Sequence, residues 1–181
     1  MSTYNNSADL AEKQLNLMSP TMCYAKWTQV SMHLTNGMTH SCYHPPLHKI
    51  DVQEIAINPA ALHNTKEKKI ERGLMLKGER PDGCSYCWKI EDLGGRSDRI
   101  YRSGEHWAQS SRKDIVQSLD TGDIDPRYLE VNFNQACNFK CMYCSPHLST
   151  SWEEEIDKFG PYDILTLSGR SKHNDISYLK Q

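Results

Sequence analysis

The stretch Cys137-Asn138-Phe139-Lys140-Cys141-Met142-Tyr143-Cys144 sets three cysteines within eight residues, and Cys23, Cys42, Cys84 and Cys87 stand upstream. Cysteines this close are badly spaced for disulfides with one another, yet thiolates on one loop can wrap a single metal centre. Seven is an odd number, so any full disulfide scheme leaves a thiol over. The natural division is four plus three, which suggests two metal sites. Two centres compete for the loop. A Zn²⁺ site needs a fourth ligand, and His147 follows Cys144 at the spacing of a Cys₃His knuckle. A four-iron cluster held by only three thiolates instead leaves one iron open to a substrate. Upstream, Cys84-x-x-Cys87 with Cys23 and Cys42 makes four thiolates, enough to close a zinc ribbon or to ligate an iron–sulfur cluster fully. Thioredoxin-like redox chemistry fits poorly, because the flanking pattern is helix, knuckle, helix.

The elements that must position these thiols follow from periodicity and punctuation. A short helix is expected to open near Ser7, with Leu10, Leu17 and Met18 on one face. Val30, Met32 and Leu34 alternate along a strand, and Asn36-Gly37 predicts a type I′ hairpin turn that sets Ser31 opposite Cys42. His44-Pro45-Pro46 ends the second strand. Residues 64–77 read as a helix capped by Asn64 or Thr65 and stopped by Gly78 and Pro81. A tight turn carrying Cys84 and Cys87 follows, then a short helix over Trp88–Leu93 and a Gly94-Gly95 break. The basic and aromatic run Arg96–Trp107 reads as a solvated loop or helix face, ahead of a functional surface patch. Residues 120–127 read as a linker. Beyond it Leu129, Val131 and Phe133 alternate as a strand, the triple-cysteine loop follows, and Ser149 or Ser151 with Glu153–Glu155 starts a helix. Residues 163–169 suggest a further strand, making 128–169 a βαβ candidate.

With its aromatic Tyr143 before the last cysteine and its place directly after a strand, CNFKCMYC resembles the CxxxCxΦC signature of radical S-adenosylmethionine (SAM) enzymes. The resemblance implies that Cys137, Cys141 and Cys144 ligate a [4Fe-4S] cluster whose fourth iron binds the amino and carboxylate groups of SAM. Reductive cleavage then yields methionine and a 5′-deoxyadenosyl radical that abstracts hydrogen from a substrate. Tyr143 would lie against the adenine or pack beneath the cluster. The upstream set, CYAKWTQVSMHLTNGMTHSC with LKGERPDGCSYCWKIEDLGGRSDR, resembles the auxiliary iron–sulfur module called SPASM or twitch. That implies an auxiliary cluster on Cys23, Cys42, Cys84 and Cys87, [4Fe-4S] or [2Fe-2S], which passes electrons or helps bind substrate. Here the module precedes the core, a layout shared with short bacteriophage-type members.

The expected fold class is therefore an α+β auxiliary iron–sulfur module over 1–119, the linker 120–127, and the start of an α/β partial TIM barrel, an incomplete radical SAM core, over 128–181. Six βα units do not fit there. The GGE-like motif of the family's second strand is missing: Gly169 is followed by Arg170, and the next acid is Asp175. The chain reads as a fragment of an enzyme, with an open sheet edge. A peptide or protein is the substrate class by analogy, with flavodoxin or ferredoxin as reductant. The 181 residues carry a net charge of -2, which gives no reason to expect a nucleic-acid partner. No stretch of about 18 apolar residues suggests a membrane span. The N-terminus lacks a basic leader and apolar core, so the cytoplasm is expected, where thiols stay reduced. Non-enzymatic alternatives are a zinc-stabilised binding module and an electron carrier.

Overall fold

Ala8, Ala11 and Leu15 recur at helical spacing and are buried, and they define the inner face of helix α1 (Thr3–Met18) in the computed structural model, which describes residues 3–142, 144 and 148–160. The expected face is the wrong one: Leu10 and Leu17 are exposed, because small residues let α1 approach its neighbour closely. Gly104, at the end of α6 (Asp98–Ser103), meets the α1 backbone, where an added Cβ would stand 3.1 Å from the Ser7 carbonyl oxygen.

The described chain divides into two compact units, one made of Met1–Met32 with Met38–Glu130, the other of His33–Gly37 with the chain from Val131 on. In the first unit, α2 (Tyr24–Thr28) is buried at every residue and packs against α4 (Lys66–Leu76), α6, α7 (His106–Ser110) and α8 (Arg112–Gln117). Leu15, Met22, Trp27, Met75, Trp88 and Ile115 lead its core. Helix α3 (Val52–Ile57) is capped by Asp51, and α5 (Ser85–Asp92) follows a short 3₁₀ turn, Asp82–Cys84. Helix α4 begins where expected, with Thr65 Oγ1 accepting from the Lys68 N–H, and ends at Gly78, whose φ of 80° continues the chain out of the helix.

Strands β1 (Gln29–His33), β2 (Met38–His40), β3 (His48–Lys49) and β4 (Tyr128–Asn132) form one sheet in the order β3-β2-β1-β4. Strand β3, unforeseen from sequence, pairs antiparallel with β2 through Met38↔Lys49 and Thr39↔His48. The hairpin turn corrects the expected type I′ geometry. Gly37 alone takes a left-handed φ (67°), and its N–H donates to the His33 carbonyl at 2.8 Å, so Leu34–Gly37 form a four-residue loop. Cys42 accordingly lies beyond β2 in a bend, without the strand pairing to Ser31.

Two further expectations are corrected. Residues 120–127 are packed against α4: Arg72 donates to the Gly122 carbonyl at 3.0 Å, and Asn64 exchanges hydrogen bonds with the Ile124 backbone. The Arg96–Trp107 run is an inward-facing helix start, with Ser97, Arg99 and Ile100 buried. Strand β4 forms where expected but ends at Asn132; Leu129 on this edge strand and Phe133 just beyond it are exposed. In the second unit, α9 (Thr150–Phe159) follows the triple-cysteine loop, and the Leu34 N–H donates to the Asn132 carbonyl at 2.9 Å. The expected strand 163–169 and the Gly169-Arg170 stretch lie outside the described residues, as do Tyr143 and His147. No helix among the described residues is long and apolar enough to cross a membrane.

Candidate metal centre

Three stretches far apart in the chain deliver the upstream cysteines to one cavity. Cys23 precedes α2, Cys42 follows β2, Cys84 ends the 3₁₀ turn and Cys87 sits in the first turn of α5. All four line a single cavity of about 20 Å³ within the first unit, somewhat more than one water needs. Cys23, Cys84 and Cys87 are buried and Cys42 is nearly so.

Burial raises the pKa of every one of these thiols. Cys42 is pushed up to about 12 by burial and then by Cys23, and Cys84 to about 11 by burial despite the Lys26 ammonium. Burial is also the leading cause at Cys23, reinforced by Cys87, and at Cys87. As thiolates the four would repel one another in a desolvated pocket, an arrangement that a cation at their centre reverses. The Lys26 and Arg99 side chains line the same cavity, and the Lys26 N–H donates to the Cys23 carbonyl at 3.1 Å, while the Ser97 hydroxyl donates to the Glu91 carboxylate. Four cysteine thiols on one cavity are the residue types that a zinc ion or an iron–sulfur cluster takes.

Lys26 is 2% exposed and pairs with Glu71 Oε2 at 2.5 Å. Burial opposes its charge, but the Cys84 and Glu71 charges outweigh that and its pKa is raised. Glu71 also fills the space over Gly83, where an added Cβ would collide with its other oxygen, Oε1. Arg99 lines the cavity too, with both guanidinium edges committed: Nε and Nη2 donate to the Glu91 carboxylate at 2.8 and 3.0 Å, and Nη1 to the Met22 carbonyl at 2.7 Å. At the rim, His44 stacks on Tyr86 (3.8 Å between centroids) and bonds Asp98 at 2.8 Å, while Arg102 lies over the Tyr43 ring.

Behind the cavity, Arg72 fixes the C-terminal end of α2. It donates through Nε to the Lys26 carbonyl (3.1 Å), through Nη2 to the Trp27 carbonyl (3.2 Å), and through Nη1 to Asn64 Oδ1 (2.7 Å) and the Gly122 carbonyl. His63 Nε2 stands 2.7 Å from the Trp27 carbonyl, which can only accept, so that nitrogen carries the proton and Nδ1 is left buried without a partner. Burial first, and then Arg72 and Lys68, push the His63 pKa down to about 3.

The triple-cysteine loop is organised differently. Cys137, Cys141 and Cys144 are each partly exposed. The loop's alternate carbonyls are taken up by the start of α9. Gln135 O accepts from the Thr150 N–H (3.0 Å), and Cys137 O from the Ser151 N–H, Ser151 Oγ and Thr150 Oγ1 (3.2, 2.8 and 3.1 Å). Phe139 O accepts from Ser149 Oγ (2.9 Å), and Cys141 O from Trp152 Nε1 and the Cys144 N–H (3.1 and 2.9 Å). The Cys137 N–H returns a bond to Thr150 Oγ1 at 3.2 Å. Ser149 or Ser151 was expected as the helix cap, but Ser149 makes no cap hydrogen bond within α9 and bonds the loop instead. The visible signal was a dense run of hydroxyls ending in Trp152, more than one cap requires.

Among the described residues, no group of three or more His, Cys, Asp or Glu side chains stands arranged to hold a metal ion. No family model matches the chain, and comparison with curated proteins and with solved structures gives no match.

Proposed function

We propose that the chain is an iron–sulfur protein of the radical SAM type, or the N-terminal part of one. Cys137, Cys141 and Cys144 would hold the [4Fe-4S] cluster that binds SAM, and Cys23, Cys42, Cys84 and Cys87 an auxiliary cluster. The observation that carries the reading is that the four upstream thiols, brought from distant parts of the chain, line one cavity together with the buried Lys26 and Arg99 side chains. The resemblance of CNFKCMYC supports the second site, together with a loop whose carbonyls are pinned so that its cysteine backbone is held in place.

When bound, the SAM cluster supplies the electron that breaks the sulfonium carbon–sulfur bond and releases a hydrogen-abstracting radical. The chain's own contribution is positional. The hydroxyls of Ser149, Thr150 and Ser151 hold the Cys137–Cys141 backbone, and the Lys26 and Arg99 cations lining the upstream cavity would offset the negative charge that four thiolates bring. A cytoplasmic setting, a peptide or protein substrate, and a flavodoxin-like or ferredoxin-like reductant complete the proposal, with Tyr143 beside the SAM adenine.

Anaerobic purification and reconstitution followed by iron, sulfide and zinc analysis tests it. About eight iron per chain are expected, falling by about half when Cys23 and Cys42 are replaced by Ala, and by the other half when Cys137 and Cys141 are. Release of 5′-deoxyadenosine from SAM under dithionite reports the chemistry. Zinc filling both sites would refute the iron reading, and two intact clusters with no SAM binding would leave an electron carrier.

A further inference from the structure

We infer that Lys26 is the counter-cation of the four-thiol centre, tuning its metal affinity and, for an iron–sulfur cluster, its reduction potential; the inference rests on the metal reading of that cavity. Four thiolates around Zn²⁺, or around the oxidised [4Fe-4S] core, sum to a dianion. A buried dianion needs positive charge close by. Among the cavity's cations, Arg99 is paired with both oxygens of Glu91, and Arg102 stands at the rim with Glu105 at 2.8 Å. Lys26 is the deeply buried one, 2% exposed, and its side chain lines the cavity with all four cysteines, while its backbone N–H donates to the Cys23 carbonyl at 3.1 Å.

Its placement is fixed. Helix α2 is buried throughout, and Arg72 Nε holds the Lys26 carbonyl at 3.1 Å, so the side chain cannot be turned to solvent without unseating the helix. A buried Lys–Glu pair is a poor source of stability by itself, since desolvating both charges consumes what their attraction returns. Glu71 retains more contact with solvent than Lys26, with side chains 21% and 1% exposed, so the ammonium carries the greater desolvation penalty. A dianion in the cavity removes that imbalance. The same geometry makes Glu71 the opposing member: its carboxylate subtracts from the positive field that Lys26 directs at the sulfurs.

The test compares Lys26→Met, Lys26→Arg and Glu71→Gln in the full chain, with Cys137, Cys141 and Cys144 replaced by Ala so that only the upstream centre binds. Co²⁺ titration, read by thiolate-to-cobalt absorption under chelator competition, should show affinity at least tenfold weaker for Lys26→Met, near wild type for Lys26→Arg, and unchanged or tighter for Glu71→Gln. With iron, a potentiometric titration followed by electron paramagnetic resonance should shift the reduced-to-oxidised ratio of Lys26→Met at least tenfold toward oxidised at a given potential, about 59 mV for one electron. Glu71→Gln should shift it the opposite way. A merely structural role would weaken both variants alike, and that result, or Lys26→Met within twofold of wild type, overturns the inference. Should Lys26→Met not fold, the sign of the Glu71→Gln shift decides. If the background protein takes up neither cobalt nor iron, the metal reading of the cavity fails and this inference with it.

Discussion

Replacing Arg72 by Met tests whether α2, and with it the seat of Cys23 and Lys26, is held from behind by one guanidinium. Arg72 is 3% exposed and donates to three backbone carbonyls, Lys26, Trp27 and Gly122, and to Asn64 Oδ1. Met keeps much of the aliphatic volume but supplies no donor, so buried acceptors are stranded at a cost of about 1–3 kcal/mol each. These losses are not additive, because the Trp27 carbonyl keeps His63 and Asn64 keeps its bonds to the Ile124 backbone. Removing a partner from a buried charged network typically costs about 3–5 kcal/mol, and that is the expected loss here. For a chain of this size it corresponds to a fall in Tm of roughly 10 °C. Urea unfolding of the reduced protein, followed by tryptophan fluorescence, measures it; Trp27 is a local reporter because the guanidinium carbon lies 5.8 Å from its ring centroid. Arg72→Lys should recover only a minor part, since one ammonium cannot span four acceptors set in a fork. A loss below about 1 kcal/mol for Met, or full recovery by Lys, would refute the reasoning.

His63 gives a pH signature. Its folded pKa near 3 lies below the unfolded value of 6.5, so between those pH values the unfolded chain binds a proton that the folded chain refuses. Stability should therefore fall as pH drops through this window, by about 2 kcal/mol from this group at pH 5, and His63→Gln should flatten that limb of the curve. Gly104→Ala places a methyl 3.1 Å from the Ser7 carbonyl oxygen, forcing α1 and α6 apart; a loss of about 1–3 kcal/mol in chemical denaturation is expected, and an unchanged midpoint would contradict that contact. Thr150→Val removes the hydroxyl that bonds both the N–H and the carbonyl of Cys137, so iron loading of the triple-cysteine loop should drop severalfold in reconstitution assays while the upstream centre fills normally. Equal loading of both sites would contradict the role given to the α9 hydroxyls.

How much could be read beforehand depended on whether the cause was local. Helix α4 was legible because its cap and its stop, Thr65 and Gly78, are written in adjacent residues. Strand β4 and the start of α9 were legible for the same reason. The grouping of the seven cysteines as four and three could be read from spacing, and the structure brings the upstream four to one cavity. What escaped was decided by distant partners. Asn36-Gly37 suggested a two-residue turn, but the chain uses a longer loop with only Gly37 left-handed. Arg99 sits in a basic run that looked solvated, and Glu91, Met22 and Trp88 draw it inward. Residues 120–127 have the composition of a linker, but Asn64 and Arg72 offer their backbone better partners than water. Lys26 gave no warning, since a lysine in a short apolar stretch is ordinarily expected at the surface.

Gly83 carries a consequence for recognising this kind of centre elsewhere. Its own backbone is not left-handed, so conformational freedom does not explain it; the Glu71 carboxylate occupies the volume a side chain would need. A residue larger than glycine just before Cys84 would drive that carboxylate off the ammonium, so the acid twelve positions upstream and the glycine should be inherited together. Distant homologues of the centre should therefore be recognisable by a linked signature of Glu, glycine and the Cys-x-x-Cys pair. Where a bulkier residue replaces the glycine, the acid should have shortened or disappeared.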